Sequence, residues 1–235
     1  MADTVNIVTP GEAQTDFSSS LLTANTFSIT ASALVLLEVD PMGPPQDPNR
    51  GNLNIADQIA LTATEGDLAS DAELTAGNEI ILNAPGNVLA AALSAPAVFL
   101  ESQTGTITTG AVNTNGGAVS IQSLDTLDLE AAFASVDANS ITARSIDGDV
   151  ISNVDLALNG DLVIEAGQSI NVQGLTAESI TATSLGGDIT TGRLFGTGGV
   201  VGLTSSGAIS TTEIEAASAL LVAVGDLTVS DLITV

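Results

Sequence analysis

GTITTGAVNTNGGAVSIQS, residues 105–123, is the stretch whose reading decides the fold. A glycine opens it, an aliphatic side chain follows two places later at Ile107, and a second apolar residue, Val112, falls at the eighth place. It closes on AVSIQS (118–123), where apolar and small polar residues alternate with the period of a half-buried strand. Thr, Val and Ile favour extended backbone, while Gly and Asn punctuate it. Strands this short cannot bury an apolar face alone, so the stretch needs neighbours of its own kind.

The chain supplies them. A Gly, or once an Asp, followed by a short β-type run recurs at 66, 86, 105, 125, 148, 167, 187, 207 and 225, at spacings of 20, 19, 20, 23, 19, 20, 20 and 18 residues. Alternating stretches also recur before each start: EIILNA (79–84), VFLES (98–102), SITARSI (140–146), DLVIEA (161–166), SITATSL (179–185), VVGLTS (200–205) and LLVAV (220–224). A near-constant period with apolar positions in phase is the signature of a solenoid. Stacking one coil on the next at ~4.8 Å joins the strands into continuous sheets. The expectation is an all-β, right-handed parallel β-helix with coils of about 19–20 residues. Leu68, Val88, Ile107, Leu127, Val150, Ile170, Ile189, Ile209 and Leu227 should then form one inward column. An antiparallel sandwich offers no reason for such a period, and the signature of leucine-rich repeats is missing.

Composition agrees. The 235 residues are 44% hydrophobic, yet include five Phe and no Trp, Tyr, His or Cys. A core of Val, Ile, Leu and Ala suits a narrow interior. Twenty-eight acidic residues face three basic ones, Arg50, Arg144 and Arg193, for a formal charge of −25. Unpaired carboxylates belong in water, and such a surface repels nucleic acid and anionic membranes. No apolar run is long enough to span a bilayer. The first residues, MADTVNIVTPGEAQTDF, lack the charged and apolar regions of a signal peptide.

The pattern breaks in three places. Residues 1–50 read as an irregular N-terminal cap or linker region, with a Pro-rich loop at 40–51 and the β-helix running over 51–235. The longest unit, 125–147, should carry an insertion near 136–140, placed as a surface protrusion. Helix is conceivable locally, over 213–224 behind Thr212 and Glu215 and over the Ala-rich 129–136, but alignment with strands of other coils favours strand at both.

Candidate chemistry is sparse. Without His, Cys or Lys there is no ready base, thiol nucleophile or amine, so no catalytic residue and no cofactor-binding residue is expected. Paired carboxylates, Asp125 with Asp128 or Glu213 with Glu215, could act together on a sugar, but read better as an acidic surface. Asp67, Asp149, Asp188 and Asp226 share the place after the corner Gly and are weak candidates for surface calcium binding. Asn87, Thr106, Gln168 and Ala208 interrupt that column, so a defined site is not expected.

The segments GTITTGAVNTNGGAVSIQS (105–123) and GDITTGRLFGTGGVVGLTS (187–205) resemble coils of the filamentous haemagglutinin family of large bacterial exoproteins, secreted by the two-partner route. The resemblance covers about 51–235 and implies a bacterial extracellular or cell-surface stalk that is structural or adhesive, with a host, matrix or glycan partner. The chain departs from that family in lacking a signal peptide and Asn-Pro-Asn motifs; DPNRG (47–51) is the nearest approach. A second comparison, with the bactofilin family, implies a cytoplasmic filament subunit that associates end to end with copies of itself, although that family's period is tighter. A polysaccharide-processing β-helix is a third reading, with no motif in its favour.

Overall fold

The computed structural model describes residues 2–11, 13–15, 24–32, 34–36 and 52–234. It is an all-β parallel solenoid of repeating coils, and every resolved pairing between its strands is parallel. Contacts divide the chain into two compact units: residues 1–117 with 133–136, and residues 118–132 with 137–235.

In the first unit, one row of strands stacks Ala2–Val8, Ala24–Ala31, Gln58–Ala63, Glu79–Ala84 and Ala97–Ser102. A second row stacks Ala13–Thr15, Leu34–Leu36, Leu68–Ser70, Val88–Ala90 and the start of Ile107–Asn113. A third stacks Asn52–Ile55, Glu73–Ala76 and Leu93–Ser94, and meets the far half of Ile107–Asn113 at Val112 and Asn113. Sequence periodicity had separated two strands per coil; the third was hidden in the apolar residue near the eighth place. The parallel register reaches back into the first fifty residues, where Val5 faces Phe27 and Ile7 faces Ile29, which in turn face Ile59 and Leu61. The Pro-rich 40–51 loop lies outside the described residues.

In the second unit, Ala118–Ser123, Ser140–Ser145, Asp161–Ala166, Ile180–Ser184, Val200–Ser205 and Ser218–Ala223 form one row. The other two rows are fused. Val150–Ala157, Ile170–Ala177, Ile189–Gly196, Ile209–Ala216 and Leu227–Thr234 are eight-residue strands that each serve both, following the two-residue Leu127–Asp128.

The side chains obey the alternation. Gln58–Ala63 and Glu79–Ala84 bury every second residue, as do Ala118–Ser123 and Asp161–Ala166. The column expected from sequence is buried from Leu68 to Ile209, and neighbours such as Ile170, Ile189 and Ile209 stand directly opposite one another. Leu227 departs from it at 51% exposed, because among the described residues no further coil covers it. Branched aliphatics fill the interior; Phe27 is the one Phe in the buried core of the described residues. Larger rings would force apart strands held at a fixed spacing.

Two local expectations need correction. Residues 129–136 do not continue as one strand: Leu129–Ala132 is a helical turn, followed by the strand Phe133–Asp137. The Asp128 carboxylate caps this turn, accepting hydrogen bonds from the Glu130 and Ala131 amides at 3.0 and 3.3 Å, while Leu129 and Ala132 fill the core. The 23-residue unit therefore takes up extra chain in the turn, since four helical residues advance about 6 Å where four extended ones advance about 13 Å. It does not protrude at 136–140, where Ala138 is buried. By contrast, 213–224 holds no helix. It lies in Ile209–Ala216 and Ser218–Ala223, which have coil neighbours that satisfy their backbone as strand.

Glycine is required where backbones nearly touch. A Cβ on Gly160 would lie 1.6 Å from the Asn139 carbonyl oxygen. At the 114–117 corner, Asn115 and Gly116 adopt φ of 50° and 84°, the left-handed region that Asn and Gly tolerate best.

Candidate functional site

The corners that follow the first row of strands concentrate the polar chemistry of the chain. Three of the four aspartates singled out by position there have one shared task. The Asp67 carboxylate accepts the Asn87 amide of the next coil at 2.7 Å, Asp149 accepts the Ser169 amide at 2.8 Å, and Asp188 accepts the Ala208 amide at 2.7 Å. Asn87 repeats the device in neutral form, its side-chain oxygen accepting the Thr106 amide at 2.9 Å. Corner amides that cannot join a sheet ladder thus find an acceptor on the preceding coil. Asp226 is the exception: its carboxylate makes no hydrogen bond among the described residues, and the coil that would offer an amide is absent from them.

Sequence reading missed the partner device, a ladder of buried serines. Each stands at the end of a first-row strand, two or three residues before the corner glycine. Ser102 donates to the Gly86 carbonyl at 2.8 Å and accepts the Gly105 amide at 3.0 Å. Ser145 does the same between the Asp125 carbonyl at 2.6 Å and the Gly148 amide at 3.1 Å. Ser184 bonds the Gln168 and Gly187 carbonyls and the Gly187 amide, and Ser205 bridges the Gly187 carbonyl and the Gly207 amide. The signal was present as SQTG, SIDG, SLGG and SSG, ending at 105, 148, 187 and 207. Ser123, whose coil has Asp125 in place of the glycine, is buried with no hydrogen-bond partner for its hydroxyl. Ser102, Ser123, Ser145, Ser184 and Ser205 are each 1–2% exposed. The bonded hydroxyls of Ser102, Ser145, Ser184 and Ser205 brace the corners.

Three of the four paired carboxylates, Asp128, Glu213 and Glu215, are also engaged. Asp128 caps the helical turn, as above. Glu213 and Glu215 are held together by Arg193, at 3.0 Å and 2.7 Å, with the guanidinium 5.1 Å from the Phe195 ring centroid. The guanidinium pKa is raised, first by the hydrogen bond to Glu215 and then by the charge of Glu213. Arg144 reaches its next-coil neighbour Glu165 at 3.4 Å. All are solvent-facing, where ion pairs contribute little to stability.

Among the described residues no three His, Cys, Asp or Glu side chains gather as they would around a metal ion. The structure therefore brings no three of Asp67, Asp149, Asp188 and Asp226 together; each belongs to its own corner. No helix among the described residues is long and apolar enough to cross a membrane.

Beyond Leu227–Thr234 no further strand is stacked among the described residues, and an inward position sealed one coil earlier is open there: Leu232 is 53% exposed, where its neighbour Ile214 is fully buried. Against known proteins, no family model, no curated protein and no solved structure matches this chain.

Proposed function

We propose that this chain is a structural or adhesive β-solenoid segment, displayed outside a bacterial cell as part of a stalk, and not an enzyme. The observation that carries the reading is the use of the polar corner residues. The aspartates at 67, 149 and 188 and the serines at 102, 145, 184 and 205 bond backbone of their own or the neighbouring coil. Chemistry that would serve a reaction elsewhere serves coil stacking here. What remains outward is a repetitive acidic surface, suited to contact along many coils. The resemblance of 105–123 and 187–205 to filamentous haemagglutinin coils supports the same reading.

The test is to probe the purified chain on arrays of glycans and of host and matrix proteins, alongside turnover assays on acidic polysaccharides. Saturable binding without turnover is the expected result. Hydrolysis of a polysaccharide that survives repurification, and is lost in Asp125→Asn or Glu213→Gln, would overturn it.

A further inference from the structure

We infer that the outward face of Gln58–Ala63, Glu79–Ala84 and Ala97–Ser102, in the first row of the first unit, receives a basic, extended segment of a partner protein. These strands bury every second side chain and turn the others outward. Down the middle of that face Ala60, Ile81 and Phe99 stand in register, one coil above another. Phe99 is 42% exposed, whereas Phe27 is sealed in the core. On one side of this apolar strip Gln58 donates a hydrogen bond to Glu79 at 2.5 Å, and on the other Asn83 donates to Glu101 at 3.2 Å. Each amide holds a carboxylate at the rim. An outward apolar strip rimmed in this way marks an interaction site.

Charge and spacing select the occupant. Glu79 and Glu101 lie at diagonal ends of the strip, since Glu101 stands opposite Asn83, four residues along the strand from Glu79. Four extended residues span about 13 Å, and neighbouring strands lie about 4.8 Å apart. An extended segment laid along these strands repeats the 13 Å span, to about the same length, between its own residues i and i+4, which share one face. Cations at i and i+4 then meet the two carboxylates, and an apolar residue at i+2 covers Ile81 and Phe99. The stem of a Lys or Arg packs on apolar surface while its charge reaches the rim, and a cation beside the Phe99 ring is attracted by its π face. An amide partner does not neutralise a carboxylate, which accepts from more than one donor. A second copy of this chain is a poor occupant, because it has no Lys, three Arg and a formal charge of −25. Nucleic acid and anionic lipid are repelled for the same reason.

Titration of the isotope-labelled 235-residue chain with the end-capped peptide Lys-Thr-Val-Thr-Lys, followed by backbone amide chemical shifts, tests it. Lys-Lys-Val-Thr-Thr, equal in charge and composition, is the control for spacing. The first peptide should bind more tightly than the second and move amides within 58–63, 79–84 and 97–102. Its binding should weaken as salt rises from about 0.01 to 0.15 M, where the Debye length falls from about 30 to 8 Å. Glu79→Gln and Glu101→Gln keep an acceptor oxygen for Gln58 and Asn83, and each should weaken binding about two- to fivefold. Phe99→Thr should weaken it about tenfold. Asp71→Asn, at an exposed carboxylate elsewhere in the same unit, should leave it unchanged. Circular dichroism first shows that each variant folds as the parent does, and the two Glu variants decide the matter if Phe99→Thr does not. Equal binding of the two peptides, shifts spread over the acidic corners, or Glu variants that bind as the parent does would overturn the assignment. So would cellohexaose moving these amides where the peptide moves none. The turnover assays above test the non-catalytic reading separately, and no outcome here bears on them.

Discussion

Replacing Ile189 by alanine removes a side chain that is fully buried between Ile170 and Ile209 in the adjacent coils. Three carbons leave the core, worth about 2.4 kcal/mol at about 0.8 kcal/mol for each buried methylene. The neighbours above and below are pinned by their own sheet ladders and cannot close the gap, which adds about 1 kcal/mol for the cavity. The expected loss is about 3–4 kcal/mol. Leu227 stands in the same column, one coil beyond Ile209, but is 51% exposed. Leu227→Ala therefore forfeits about half the transfer term and encloses no cavity, for about 1 kcal/mol. Urea unfolding followed by far-ultraviolet circular dichroism reads both, since the chain has neither Trp nor Tyr to report by fluorescence. Equal losses at the two positions, or a loss under about 1 kcal/mol at Ile189, would refute the argument that stacking neighbours on both sides set the cost.

Three further outcomes are expected from the same assay. Asp188→Ala deprives the Ala208 amide of its acceptor and should cost about 0.5–1.5 kcal/mol, whereas Asp188→Asn keeps an acceptor oxygen and should cost less; equal losses would show that carboxylate charge, not the inter-coil bond, matters. Ser145→Ala leaves the buried Gly148 amide without its hydroxyl and should cost about 1–3 kcal/mol, while Ser123→Ala removes a hydroxyl with no partner and should be close to neutral. A Ser123→Ala variant as unstable as Ser145→Ala would mean that hydroxyl has a role these contacts do not show. Gly160→Ala drives a Cβ into the Asn139 carbonyl and should lower the urea midpoint markedly. Gly198→Ala, with open space around the added carbon, should leave the midpoint nearly unchanged, and a reversed order would contradict the backbone path at 139–160.

Much of this architecture was legible in the sequence because a solenoid repeats its information every coil. The column from Leu68 to Ile209 and the alternating strands from 79 onward could be located from period and phase alone, since each coil meets only neighbours built to the same pattern. The corner position of Asp67, Asp149 and Asp188 was also readable, but not its use. Whether a carboxylate meets a cation, water or an amide depends on the offset between coils, and only the stacked backbone places the Ser169 and Ala208 amides within 2.8 Å and 2.7 Å of the neighbouring aspartates. The buried serines went unread for a related reason. A hydroxyl three residues before a glycine resembles any polar turn residue until the chain closes around it.

The sequence by itself determined that the chain would stack aliphatic coils and leave its acidic residues outside, because these follow from periodicity, side-chain size and the cost of burying charge. The tertiary structure decided how many rows each coil contributes and where they fuse, as in the eight-residue strands from Val150 onward. It decided that the long unit curls into a helical turn at Leu129–Ala132. It also decided that Leu227 and Leu232 stand half open while Ile209 and Ile214, chemically similar and one coil away, are sealed. Burial of an inward residue in a solenoid is set by the coils on either side of it. That is a property of position in the stack, which no single repeat encodes.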